Sequence, residues 1–421
     1  MALPDIQILR ILTTDGRYLF ITRMVRLFAY GFLSVILVLY LDDLGLSKME
    51  IGLLLTLTLL GDTLISLWIT THADRIGRQR MLLLGAILMV FAGVLFAITR
   101  NFFLLLIAAT IGVISPSGNE VGPFLSIEQA ALSQIVPNER RTKVFAWYNL
   151  VGSFTTALGA LAGGSLVQAL QGVGVGTLGS YRAIVIGYAA IGAILSLLFT
   201  RLSPSVEVSP AIDPPAPSQE SKKFLGLHQS RGVVLKLAGL FSVDAFAGGF
   251  VLQSIVAYWF HARFNVQPAI LGSIFFGANI LAGVSSLTAA WVAGRIGLIR
   301  TMVFTHIPSN ILLIFVPLMP NLPLAIALLL LRFSISQMDV PTRQSYTMAV
   351  VSPEERSAAA GITGIARTTG ASLSPVFTGP LLANAALLNF PFFISGGLKI
   401  IYDLMLYRSF RSIKPPEEEK P

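Results

Sequence analysis

The sequence contains no cysteine and only four histidines in 421 residues, and charged residues make up just 12% of it. The first absence excludes a disulfide framework, a thiolate nucleophile and any cysteine-based metal site. The histidines, at 72, 228, 261 and 306, are too scattered to suggest a metal centre of their own. The scarcity of charge excludes an ordinary soluble domain, in which roughly 25% of residues are charged. What fills the space is apolar: 54% of residues are hydrophobic and the mean hydropathy is +0.75. Apolar runs of about 18 residues or more recur along the chain, each long enough to cross a hydrocarbon core of about 30 Å as a helix. The sequence is that of an all-α integral membrane protein.

The net charge of +9 does not point to nucleic acid. The positive residues are spread over short turns and form no compact basic domain with interleaved aromatics. A small-residue cleavage site is lacking after the first apolar run, so the first helix is expected to direct insertion itself. Spans are predicted at 17–41, 48–70, 80–99, 102–135, 143–168 and 183–200, then at 233–259, 268–292, 301–319, 322–350, 358–384 and 387–407. That makes twelve transmembrane helices in two six-helix halves. The expected organisation is a lead-in at 1–16, an N-terminal bundle at 17–200, a linker at 201–231, a C-terminal bundle at 232–408 and a tail at 409–421. The lead-in reads equally as a short interfacial helix or a plain approach to the first span. Pro204, Pro210, Pro214, Pro215 and Pro217 mark the linker as a segment that buries no core.

Alternate assignment of the turns puts most Lys and Arg on one face, including Arg75, Arg78, Arg80, Arg140, Arg141, Arg295, Arg300 and Arg356. Lys48, Arg100, Arg182 and Arg263 remain on the other. The positive-inside rule then places both termini and the linker in the cytoplasm of a cell-membrane protein. The turn His72 to Arg80 is echoed 220 positions later, where Arg295, Ile296, Gly297 and Arg300 repeat Arg75, Ile76, Gly77 and Arg80. Pro137-Asn138-Glu139-Arg140 is likewise echoed by Pro353-Glu354-Glu355-Arg356, and Gly163 and Gly379 share that second spacing. The two halves read as a parallel duplication.

Twelve spans, a central linker, a D-R-x-G-R-x-R turn after span two with a weaker copy after span eight, and a P-x-E-R turn after spans four and ten resemble the major facilitator superfamily. The resemblance covers nearly the whole chain. Thr70 stands where the family motif begins with Gly, and His72 where Leu is common. The resemblance implies that Asp74 meets the start of span eleven near Ser357-Ala358-Ala359. It also implies that spans one, four, seven and ten line a central cavity. In the turns themselves, Gly77 supplies the unhindered corner, Arg78 is expected to pair with Glu139, and Arg295 or Arg300 with Glu355. The same arginines would also serve simply to fix topology and meet lipid phosphates.

A charged residue inside a span costs at least about 2.5–3.5 kcal/mol on insertion scales, so each is a functional hypothesis. The cavity-lining set carries Arg23, Arg26, Tyr30, Asn119, Glu120, Glu128, Asp244, Gln253, Arg332, Gln337, Asp339 and Arg343. Asp339 and Arg343 share a face four residues apart with Pro341 between them, which suits an ion pair as well as a substrate site and marks a place where the helix is expected to kink. Glu120 lies in a run with Pro116, Gly118, Gly122 and Pro123 that loosens a helix; it and Asp244 are the expected proton or substrate groups. Asp62, Arg367 and the pair Lys399/Asp403 fall outside the cavity set and read as ties between helices, with a place on a proton path the alternative for Asp62. Gly152, Gly159, Gly163 and Gly164 form a small-residue face on span five. It partly resembles the family's antiporter motif, with Ala160 in place of Pro, and leans towards efflux.

Gly174-x-Gly176-x-x-Gly179 fits a dinucleotide fingerprint on paper but follows a membrane helix with no strand before it. There is no Walker loop and no nucleophile–His–acid set, so neither an ATPase nor another enzyme is indicated, and no cofactor is expected. The expected function is secondary active transport of a small molecule or ion, proton-coupled, by a monomer in the lipid bilayer. A uniporter without proton coupling and a transporter-like sensor are the alternatives.

Overall fold

The computed structural model describes residues 12–136, 138–207, 227–352 and 355–413, the side chains of 138–143 and of 357 excepted. Residues 1–11 of the expected lead-in, most of the linker and the tail from Lys414 lie outside the described residues, and the first helix begins within the lead-in, at Thr14. Among those described, the regular structure is helical: α1 (Thr14–Ser34), α2 (Leu37–Asp43), α3 (Lys48–Ile76), α4 (Arg78–Ile98), α5 (Phe102–Ile111), α6 (Phe124–Ile135), α7 (Asn138–Gly172) and α8 (Thr177–Phe199). These are followed by α9 (Arg231–Gly249), α10 (Gln253–Phe264), α11 (Pro268–Ile296), α12 (Leu298–Phe315), α13 (Leu322–Phe333), α14 (Asp339–Ala349), α15 (Arg356–Ala383) and α16 (Phe390–Phe410). Eight helical stretches are long and apolar enough to cross a membrane, counting Arg231–Phe264 as one; joining α1 and α2 across their 44° bend makes nine.

The first, fourth, seventh and tenth predicted spans are interrupted, the fourth where its Pro and Gly residues loosen the helix. The breaks fall at 35–36, 112–123, 250–252 and 334–338. At 112–123 the cause is local: Gly118 and Gly122 have φ of 71° and 81°, a left-handed backbone that lets the chain turn where a helix would continue. Elsewhere the helices stop as the sequence repeat implies. Gly77 (φ 117°) ends α3 and Gly297 (φ 87°) ends α11, the two equivalent turns of the duplication. Ser47 and Glu50 start α3 with reciprocal capping bonds.

By contact the chain divides into two compact units, Met1–Pro210 with Leu252–Asn279, and Ala211–Val251 with Ile280–Pro421. In the first, α1 packs along α7 through small residues. A Cβ on Gly159 would collide with the Phe28 carbonyl, and one on Gly31 with that of Thr156. The segment 252–279 joins this unit through the Ser254 N–H to the Pro116 carbonyl at 3.1 Å and Gln253 Nε2 to Ser34 Oγ at 2.8 Å. In the second unit α9 packs along α15 in the same manner, Gly370 facing the Ser242 carbonyl. Its apolar core gathers Leu237, Phe241, Met302, Tyr346, Tyr402 and Phe410.

Candidate functional site: two buried charge clusters

In the first unit the charges meet around Arg26, which is fully buried on α1. Its Nη1 and Nη2 donate to the two oxygens of Glu128, each at 2.7 Å, and its Nε donates to Glu120 at 2.8 Å. Arg23, three residues earlier and therefore on the same helix face, lies 3.0 Å from the other Glu120 oxygen and 4.3 Å over the Tyr148 ring. Glu128 also accepts from Thr22 Oγ1 at 3.1 Å and from the Tyr148 hydroxyl. Two guanidiniums and two carboxylates thus balance, with the forked geometry that makes buried pairs tolerable. The interruption at 112–123 makes this possible. Glu120 sits in it and Glu128 on the helix that follows, so one predicted span presents two carboxylates to one arginine.

Asn119 is exposed, and its backbone carbonyl accepts from Ser115 Oγ at 2.7 Å, fixing the turn. Asp62, on α3, accepts the backbone N–H of Gly122 at 2.7 Å and the Ser66 hydroxyl at 3.3 Å.

In the second unit Asp244 is the hub. Its Oδ1 receives Lys399 Nζ at 2.6 Å, and its Oδ2 lies 3.2 Å from both Arg343 and Arg367. Arg343 reaches Asp339 at 2.9 Å as well. His306 stands between two carboxylates, its Nδ1 2.9 Å from Asp403 and its Nε2 4.0 Å from Asp244. Asn310 Nδ2 donates to Asp403 at 3.2 Å. Arg332 lies 4.9 Å over the Phe333 ring, and the Gln337 N–H donates to Ser285 Oγ at 3.2 Å.

The sequence sets Arg367, Lys399 and Asp403 outside the cavity set as ties between helices. Each does meet another helix, but Arg367 and Lys399 do so at Asp244, inside that set. Lys399 turns to Asp244 while Asp403 turns to His306, a residue the sequence gave no reason to single out. The spacing of four on α16 was visible, but which neighbour each side chain meets depends on packing against α9 and α12.

The turns also differ from expectation. Arg78 Nε pairs with Asp74 at 2.8 Å, and its Nη1 reaches Gln134 at 3.0 Å and the Val206 carbonyl at 3.2 Å. The expected partner, Glu139, has its side chain outside the described residues, as does Ser357. Glu207, which the sequence did not flag, accepts the N–H groups of Arg78 and Gln79 at 2.7 and 3.1 Å, next to Gly77. Glu355 does not pair with Arg295 or Arg300. Its oxygens accept the backbone N–H groups of His228, Gln229 and Ser230 at the start of α9, where unpaired donors and the helix dipole favour a carboxylate. Arg295 instead lies 4.0 Å over Trp291, Arg356 Nε donates to the Met348 carbonyl at 3.0 Å, and Arg75, Arg80 and Arg300 are exposed.

Burial raises the pKa of Glu355, but the bonds from Ser230, His228 and Gln229 outweigh it and bring the group from 4.5 to about 2. A carboxyl whose folded pKa is depressed adds stability above its unfolded value, and that contribution disappears as pH falls from about 4.5 towards 2. Thermal unfolding in detergent should therefore show Glu355→Gln less stable than wild type at neutral pH. The two curves should converge as the pH falls through that window; a constant gap would contradict the assignment.

Helices that cross a membrane, interrupted where they carry buried and mutually neutralising charge, define a multi-spanning transporter. The chain belongs to the Major Facilitator Superfamily, whose family model matches residues 19–375. It is 31% identical over 424 residues to the Uncharacterized membrane protein YJR124C of Saccharomyces cerevisiae, covering 95% of this chain and 94% of that one. Quinolone resistance protein NorA of Staphylococcus aureus matches over 138 residues at 28% identity, 33% of this chain and 34% of that one. The crystal structure of a D-xylose-proton symporter shares the fold, with a TM-score of 0.72 at 14% identity over 96% of this chain and 99% of that one.

Proposed function

We propose that the protein is a proton-coupled secondary transporter that moves a small solute by alternating access, with a lean towards efflux. The observation that carries this reading is the pair of buried charge clusters at the interrupted helices. Charges at membrane depth are costly, and well-packed apolar residues would often hold helices together as well or better. Their retention suits a site whose partners exchange during a cycle. Substrate and proton would bias two states through unequal affinity for them. A solved proton symporter with this fold and the partial likeness to a resistance protein support coupling and efflux respectively. Arg26, Glu120, Asp244, Arg332, Asp339 and Arg343 are the proposed binding residues, with Asn119 and Gln337 beside them. Asp74, Arg78 and Gly77 are proposed to govern opening in the cytoplasm, where positive-charge bias places both termini.

The test is proton movement in sealed vesicles holding purified protein and an internal pH dye, with a panel of anionic, cationic and apolar compounds. A compound-driven pH change in wild type is expected, and Glu120→Gln should abolish flux because it leaves Arg23 without a carboxylate and Arg26 with Glu128 alone. Compound flux with no pH signal would replace this reading with uniport.

A further inference from the structure

Among the described residues, the carboxylates at membrane depth fall into two kinds. Glu120, Glu128, Asp244 and Asp339 each lie within 3.2 Å of an arginine or lysine, and Asp403 lies 2.9 Å from His306. Asp62 has no basic group within ion-pair distance. It occupies the midpoint of α3, fourteen residues from Lys48 and from Ile76, or about 21 Å of helix from either end at 1.5 Å per residue. What holds it is neutral: the Gly122 N–H and the Ser66 hydroxyl.

We infer that Asp62 is the exchangeable proton-binding group, and that its protonation state sets how firmly the interrupted segment 112–123 is held. This rests on the proton-coupled reading above. A carboxylate whose partners are arginines that stay charged gains little by taking a proton, since protonation leaves those cations unpaired in a dry interior. Asp62 carries no such penalty. As an anion it accepts a charge-assisted bond from Gly122, which is stronger than a neutral one. Protonated, it keeps a weaker acceptor and gains a donor, so the bond to Gly122 slackens. Gly122 stands two residues from Glu120, which joins Arg23 to Arg26, so slack there reaches the charge cluster through three consecutive residues.

The surroundings offer no competing base. Tyr30 of α1, Tyr188 of α8 and Glu120 are the titratable groups that feel its charge. α5, which packs along α3 so closely that Gly61 abuts the Thr110 carbonyl, has no ionisable residue between Phe102 and Ile111. On α4 the ionisable groups are Arg78 and Arg80 in the first turn, opposite the end of α3. On α6 there is Glu128, which Arg26 holds. On α2 there are Tyr40, Asp42 and Asp43, beside the start of α3.

Infrared difference spectra of the purified full chain across a pH series should show the carbonyl stretch of a protonated carboxylic acid titrating. That band should vanish in Asp62→Asn, return shifted in Asp62→Glu and persist in Glu120→Gln. Hydrogen exchange of 112–123 should quicken at low pH in wild type and lose that dependence in Asp62→Asn. In vesicles, Asp62→Asn should keep compound counterflow and lose the pH signal. A band and an exchange profile unchanged by Asp62→Asn would overturn the inference, as would intact coupled proton movement in that variant, and the proton-coupled reading would survive both. Wild-type flux without proton movement would remove that reading and, with it, the transport role of Asp62. If Asp62→Asn cannot be recovered folded, Asp62→Glu decides: an unshifted band overturns the assignment.

Discussion

Asp244→Asn is expected to be among the most destabilising isosteric changes in the chain. The amide keeps the volume and removes one charge, leaving Lys399 and Arg367 with no carboxylate and Arg343 with Asp339 alone. Breaking a buried pair by neutralising one partner typically costs about 3–5 kcal/mol, because the remaining charge stays desolvated. Asp244→Asn/Lys399→Met should recover part of the loss, and a double-mutant cycle on thermal unfolding of the purified protein would measure the coupling. Wild-type stability in Asp244→Asn would mean that water already solvates these cations.

Gly159→Leu is expected to abolish the packing of α1 on α7. The obstacle is backbone, the Phe28 carbonyl and the Phe32 nitrogen, so no side chain can swing aside. Overpacking a core generally costs about 1–3 kcal/mol, and a backbone obstacle puts this position at or beyond the upper end. Gly172, on the same helix, has open space where a Cβ would go. Gly172→Leu should therefore elute as wild type in fluorescence size-exclusion chromatography, while Gly159→Leu aggregates or disappears. Equal behaviour of the two would refute the close-approach account of span five.

The class of fold was legible because hydropathy and charge bias act over whole segments, and because the duplication is written into the turns at Gly77 and Gly297. The interruption at 112–123 was legible too, through Pro116, Gly118, Gly122 and Pro123. A bend in the tenth span was legible through Pro341, whose ring bars the Gln337 carbonyl from continuing the helix; the break at 35–36 was not, since Val35-Ile36 contains neither Gly nor Pro, and it belongs to packing rather than propensity. The site was half legible. Residue types at membrane depth announced Arg26, Glu120, Asp244 and Arg343, but partner choice depends on how each helix is rotated. Lys399 and Arg367 were legible as ties between helices but their partner, Asp244, was not, and His306 joined the cluster unannounced. Glu207, and the true partners of Glu355, escaped for another reason: each carboxylate accepts backbone N–H groups from a segment far away in the chain, and a local pattern holds no trace of that.

The interruptions at 35–36, 112–123, 250–252 and 334–338 have a mechanical meaning. An unbroken helix is a stiff rod, so tilting one end tilts the other. A rod with a joint at its middle passes on little bending, and its two pieces can turn separately so long as the freed backbone groups keep partners. Gly122 keeps Asp62, and Pro116 keeps Ser254. The third joint coincides with the border between the two contact units, with α9 on one side and α10 on the other. Any bending taken up at these joints therefore moves half-helices rather than whole rods.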